Sequence, residues 1–230
     1  MKKLKDGLTT KDIKKYFSWI LKADIENAVL GISPEKKLIW YNGTWHNGKW
    51  KDGIWEDGEW FGGVWHNGKW YNGIWHNGEW KDGKWIDGVF ENGIWHNGIW
   101  YNGYWKYGEW NSGKWEDGIW KLGAWRNGEW KNGIWRSGWW YNGEWQKGTW
   151  VDGTWYNGIW KNGTWSGGIW NNGEWNDGEW FKGQWKDGIW HNGIWYGGVW
   201  LSGKWHKGYW KGGYDSKYNY QTKSPSKWSD

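Results

Sequence analysis

The six histidines, His46, His66, His76, His96, His191 and His206, all stand at the first position of a five-residue unit. His46 and His66 are twenty residues apart, as are His76 and His96. If twenty residues close one turn of a stacked fold, each pair superposes, and paired imidazoles can ligate zinc or copper. The plainer reading is that an outward position tolerates histidine. We therefore hold these four as candidate ligands and assign no metal.

Carboxylates are plentiful but form no distinctive pair. Asp52 and Asp57 recur where the chain must turn, and Asp is a turn residue first. Acid–base catalysis needs groups whose pKa a pocket has shifted, and a regular surface supplies none. The glycines recur throughout and open no helix, so none makes a phosphate loop. Cys 0 removes disulfides, thiolate metal sites and thiol nucleophiles together. The sequence reads as non-enzymatic, with no catalytic residue and no cofactor.

The element that must position everything is the repeat itself, x-(Asn/Asp)-Gly-x-Trp. Glycine stands at every fifth residue from Gly43 to Gly213, 35 times, and Asn or Asp precedes it in 23 of those. Trp40 to Trp210 form a second lattice of the same spacing, broken only by Phe90. Helix is excluded, because each interior glycine costs ~1 kcal/mol relative to alanine. The net charge of +5 comes from the ends, since residues 41–213 hold 18 basic and 18 acidic residues. That balance gives no basic stripe for nucleic acid. No apolar run is long enough to span a membrane or to act as a signal peptide.

Asn-Gly is a hairpin signal, so an antiparallel meander of x-Trp-x strands is one candidate. Parity opposes it. The first and third residues of such a strand direct their backbone groups to one side, yet they would have to bond opposite neighbours. A parallel β-solenoid has no such conflict. Gly and Trp lie two apart and face inward together, while Trp-x-Asn-Gly makes the corner. The indole leaves no room for a second inward side chain, and glycine has none. The expected core therefore includes Trp45, Trp50, Trp55 and Trp60 with Gly48, Gly53 and Gly58.

Every fourth unit is enriched in large apolar residues at its first position, including Tyr41, Phe61, Tyr101, Tyr141 and Phe181. That modulation suggests four sides and about twenty residues per coil, a quadrilateral β-solenoid. It also puts those five aromatics in one outward column, the candidate ligand or partner surface. Four indoles per coil would crowd a narrow tube unless it widens or the rings stack flat between layers.

Just before the array, Ala23-Asp24-Ile25-Glu26-Asn27 and Ala28-Val29-Leu30-Gly31-Ile32 keep the same phase. This pattern resembles pentapeptide-repeat proteins, which set a small and a large apolar residue two apart, facing inward. The Gly-x-Trp array departs from that family's usual residues. It is similar to tryptophan-rich pentad arrays of tailed phages and some bacteria. Gly128-Glu129-Trp130-Lys131-Asn132-Gly133 also resembles part of a MORN repeat, which uses hairpins, and keeps the meander as the alternative fold.

Four segments follow: a capping helix at 1–22, an opening coil at 23–40, the array at 41–213 and a polar tail or cap at 214–230. Thr9 or Thr10 caps the helix, and Ile13, Phe17, Ile20 and Leu21 make its apolar stripe. The function expected is a structural scaffold or protein-interaction module, in a phage particle or its assembly, engaging a protein partner or copies of itself. The alternative is a glycan- or cell-wall-binding protein using the exposed aromatics. The expected location is cytoplasmic or on the virion, with no membrane segment.

Overall fold

The computed structural model describes residues 3–228 and is a parallel β-solenoid of about 12 turns, with one short α-helix near the N-terminus. The chain divides into two compact units, Met1–Lys114 and Trp115–Asp230. From Lys49 to Trp210 the fourth and fifth residues of each repeat make a two-residue strand, and the next three turn the corner.

The register is in phase at fifteen residues. Trp40 pairs with Trp55 and Trp55 with Trp70 in the first unit, and Trp130 pairs with Trp145 in the second. Strands above and below run parallel, as the parity argument requires. Backbone N–H groups donate down the stack: Ile134 to the Gly118 carbonyl at 2.9 Å, Arg136 to that of Trp120 at 2.8 Å. The coil therefore has three sides of five residues. The four-sided coil of twenty is corrected, and the hairpin meander fails for the array.

Three sides follow from how indoles tile. Trp130 meets Trp135 edge to face at 6.0 Å and 74°, and Trp135 meets Trp140 at 5.9 Å and 75°. One indole per side gives three rings to a turn, each edge-on to the next. Along the stack Trp130 lies on Trp145 at 4.8 Å and 5°, an offset parallel arrangement. Of the two packings open to the sequence, the rings take the flat-stacked one.

The every-fifth-residue lattice from Trp40 to Trp195, with Phe90 in it, has no exposed surface. Burying an indole is worth ~4–6 kcal/mol by area. The N–H groups of Trp130, Trp135 and Trp140 carry no hydrogen bond, and burying such a group unpaired costs ~1–3 kcal/mol. Area wins, although the Nε1 edges lie beside the glycine corners of the coil above, as Trp125 Nε1 does 3.3 Å from where a Cβ on Gly143 would stand. Near the C-terminus Trp190 Nε1 donates to the Lys207 carbonyl and Trp210 Nε1 to that of Gln221. Acrylamide should therefore quench only the half-buried Trp19, Trp210 and Trp228 and the exposed Trp139. Quenching of most of the emission would contradict this core.

Gly133 shows why the corner needs glycine. Its φ is +118°, and a Cβ there would sit 2.4 Å from the Gly118 carbonyl oxygen one coil below. The obstruction is backbone before it is indole. The preceding Asn or Asp fixes the turn: Asp117 Oδ1 accepts from the Gly118 N–H at 2.7 Å.

The ends depart from the repeat. Strand β1 (Lys3–Leu4) pairs with β2 (Asp24–Ile32), and helix α1 (Thr10–Tyr16) starts from a Thr9–Asp12 capping box. A 3-10 turn, Ser18–Lys22, follows, so the expected single helix is broken at Phe17. Ile13, Phe17 and Ile20 are buried, whereas Leu21 is 49 % exposed. Trp19 packs on the first rung instead, 5.0 Å from Trp50. Residues 24–32 are not a parallel opening coil, because β2 runs antiparallel to β3 (Leu38–Asn47), with Leu30 opposite Trp40. At the other end Tyr220–Gln221 pairs antiparallel with Gly213–Tyr214, and Trp228 stands edge-on to Trp210 at 5.6 Å. Residues 214–228 form a cap.

Candidate functional site

With three sides, each face carries two outward columns, the residues just before and just after each indole. Stepping twenty residues advances one face, so the expected aromatic column disperses. In the first unit Tyr41 and Tyr101 fall on a first face and Phe61 on a second; in the second unit Phe181 falls on a second face and Tyr141 on the third. Tyr41 is spent on the cap: its hydroxyl donates to Asp6 at 2.7 Å, and that hydrogen bond pushes the phenol pKa up.

The histidine pairs separate in the same way. His46 neighbours Phe61 at 5.6 Å, and Phe61 stacks on His76 at 4.3 Å. His66 and His96 lie on another face. Among the described residues no group of three or more His, Cys, Asp or Glu is placed to hold a metal. The imidazoles that do meet are His191 and His206, fifteen residues apart, at 5.0 Å.

His76 belongs to a charged ladder on the first unit. Its Nδ1 lies 2.7 Å from Glu91 Oε2, and Lys106 Nζ donates to Glu91 Oε1 at 2.6 Å. Lys106 chiefly holds the Glu91 carboxyl below the usual carboxylate range, with burial opposing and His76 adding. A depressed carboxylate pKa stabilises the fold above its ordinary value, and the contribution is lost as pH falls through the lowered one. Glu91→Gln should therefore lower Tm by about 1–2 °C at neutral pH and change nothing near pH 2. An equal shift at both values would contradict this.

Two faces of the second unit carry stacked exposed rings: Phe181 lies on Tyr196 at 4.6 Å and 9° on the second, and a larger group stands on the third. Trp139 stands just before an indole, where every other array unit carries a different residue type, and it is 42 % exposed. Tyr141, two residues on, shares its face. One coil along, Tyr156 stacks on Tyr141 at 5.0 Å and 9°. On the other side the Arg126 guanidinium lies 4.5 Å from the Tyr141 ring centroid. The registers Trp139↔Thr154 and Thr154↔Ile169 extend the surface. The sequence reading included Tyr141 but missed Trp139 and Tyr156. The signal was present, since Trp139 is the one array tryptophan off the lattice, but only a fifteen-residue column brings these rings together.

The fold defines the class: a tryptophan-rich repeat protein built as a parallel β-solenoid. No protein-family model matches the chain, and no curated protein does. Among solved structures, one similar chain carries a provisional acetyltransferase name and comes from Desulfovibrio desulfuricans G20. It is 4 % identical, with 63 % of this chain and 64 % of that one covered and a TM-score of 0.17. A likeness of that size carries no argument about fold or activity.

Proposed function

We propose that the chain is a non-enzymatic scaffold or protein-interaction module, carried in a phage particle or used in its assembly. The supporting observation is the buried indole interior of each unit, Trp40 to Trp110 in the first and Trp115 to Trp195 in the second. Side-chain chemistry is thereby confined to outward columns repeated at constant spacing, a layout suited to repeated contacts with a protein partner or with further copies. The five-residue unit and its Asn/Asp-Gly corner support kinship with pentapeptide-repeat proteins, with a three-sided coil as the departure. Such a role locates the chain in the cytoplasm or on the virion. Rate-zonal sedimentation of a native lysate tests it. The chain should travel at fixed stoichiometry with a large assembly, and recovery as a free 27.6 kDa species would refute the reading. A second reading, glycan binding, is favoured by the Trp139 surface.

A further inference from the structure

We propose that the third face of the second unit is a binding platform for a neutral, β-linked polysaccharide. This stands apart from the scaffold reading, and neither test bears on the other.

Three observations converge on these coils. The first is aromatic. Trp139 and Tyr156 are 42 % and 41 % exposed, and Tyr156 is fixed parallel to Tyr141. Isolated exposed apolar residues are ordinary, whereas several aromatic rings gathered on one face mark a candidate binding site. These rings stand on a ladder bonded above and below, so little order is lost on binding.

The second is charge. Between residues 124 and 201 neither outward column of this face contains Asp or Glu. Its charges are Arg126, placed over Tyr141, and Lys186, four coils away. The first face of the same unit carries Glu129, Glu144 and Glu174. A face with so few cations does not follow a phosphate backbone, and one without acids does not select a basic partner.

The third is a rank of amides. At the corner beside these rings stand Asn142, Asn157 and Asn172, all exposed and in register. At some other corners the residue before the glycine accepts from its N–H, as Asp152 does for Gly153 at 2.8 Å. These three form no such bond, so their donors and acceptors face solvent.

Stacked rings, uncommitted amides and a sparsely charged face fit one ligand class. A β-linked pyranose chain with equatorial substituents shows flat C–H faces that lie on aromatic rings, and its hydroxyls project sideways to amides. A pyranose residue is about as long as a rung is high, ~4.8 Å, so a chain along the stack would meet a similar surface at successive residues. α-Linked glucans coil and present no such flat face.

The test uses the full chain and two insoluble β-linked probes, microcrystalline cellulose and chitin, with amylose as the α-linked control. Wild type should be retained on cellulose or chitin and not on amylose. Trp139→Thr and Tyr156→Asn each install the residue found one coil along, at Thr154 and Asn171, so the rungs stay filled. Each should weaken retention about tenfold, the loss of one stacking ring. Phe181→Ser on the second face should leave it unchanged. The proposal is overturned if wild type binds neither β-linked probe better than amylose. It is also overturned if Trp139→Thr, folded by circular dichroism, binds as wild type does. Dimerisation abolished by Trp139→Thr without glycan retention would overturn it too, assigning the face to a second copy.

Discussion

Gly133→Ala is expected to destabilise the second unit by ~2–6 kcal/mol, a large effect for one methyl group. Two costs add. A φ of +118° is strained for any L side chain, at ~1–3 kcal/mol. The new Cβ, 2.4 Å from the Gly118 oxygen, must also force two coils apart, and overpacking costs a further ~1–3 kcal/mol. The same displacement stretches the Ile134 N–H to Gly118 bond. Gly167 is the matched control. Its φ is not positive, and a Cβ would meet nothing closer than 3.4 Å. Gly167→Ala should leave the urea midpoint within the range of a surface change, ~0.5 kcal/mol. Equal midpoints for the two variants would show that the corner does not need glycine.

Removing one indole from mid-stack is the second large effect. Trp135→Ala should cost ~3–5 kcal/mol, because its ring stacks on Trp120 and Trp150 and meets Trp130 and Trp140 edge-on. Neighbours bonded into rungs cannot collapse to fill the space. Trp135→Phe should cost less, and the chain holds the precedent: Phe90 is fully buried and lies 4.1 Å from Trp105. Repeat stacks depend on nearest-neighbour interfaces, so the damage should be local. Hydrogen exchange should accelerate at Val151, whose N–H bonds the Trp135 carbonyl, before it does at Tyr196. Uniform acceleration across the unit would count against nearest-neighbour stability.

Much of this was legible in the residues. Backbone parity on an odd period argued against the meander, and two-residue spacing put glycine and indole on one side. The number of sides was not legible. It depends on how many indoles fill a cross-section, a property of ring shape that linear spacing does not carry. The aromatic residues at every fourth first position suggested twenty, and the Asn/Asp at most corners distinguished no coil length. Ile25 and Leu30 misled differently. A five-residue phase is the same read in either direction, so it did not show that 24–32 runs antiparallel. At the candidate site, Tyr141 was visible as an outward aromatic. Its partnership with Tyr156 was hidden until the coil length was known.

The coil length therefore bears most of the account, and one labelling experiment tests it directly. The chain contains no cysteine, so two introduced cysteines carry the only pyrene labels. Glu129 and Glu144 are register partners on successive rungs, which puts their labels ~4.8 Å apart along the stack. Strong excimer emission is predicted from Glu129→Cys/Glu144→Cys, and only weak emission from Glu129→Cys/Thr149→Cys, whose labels fall on different faces. The reverse result, with the twenty-residue pair giving the excimer, would contradict the three-sided indole core.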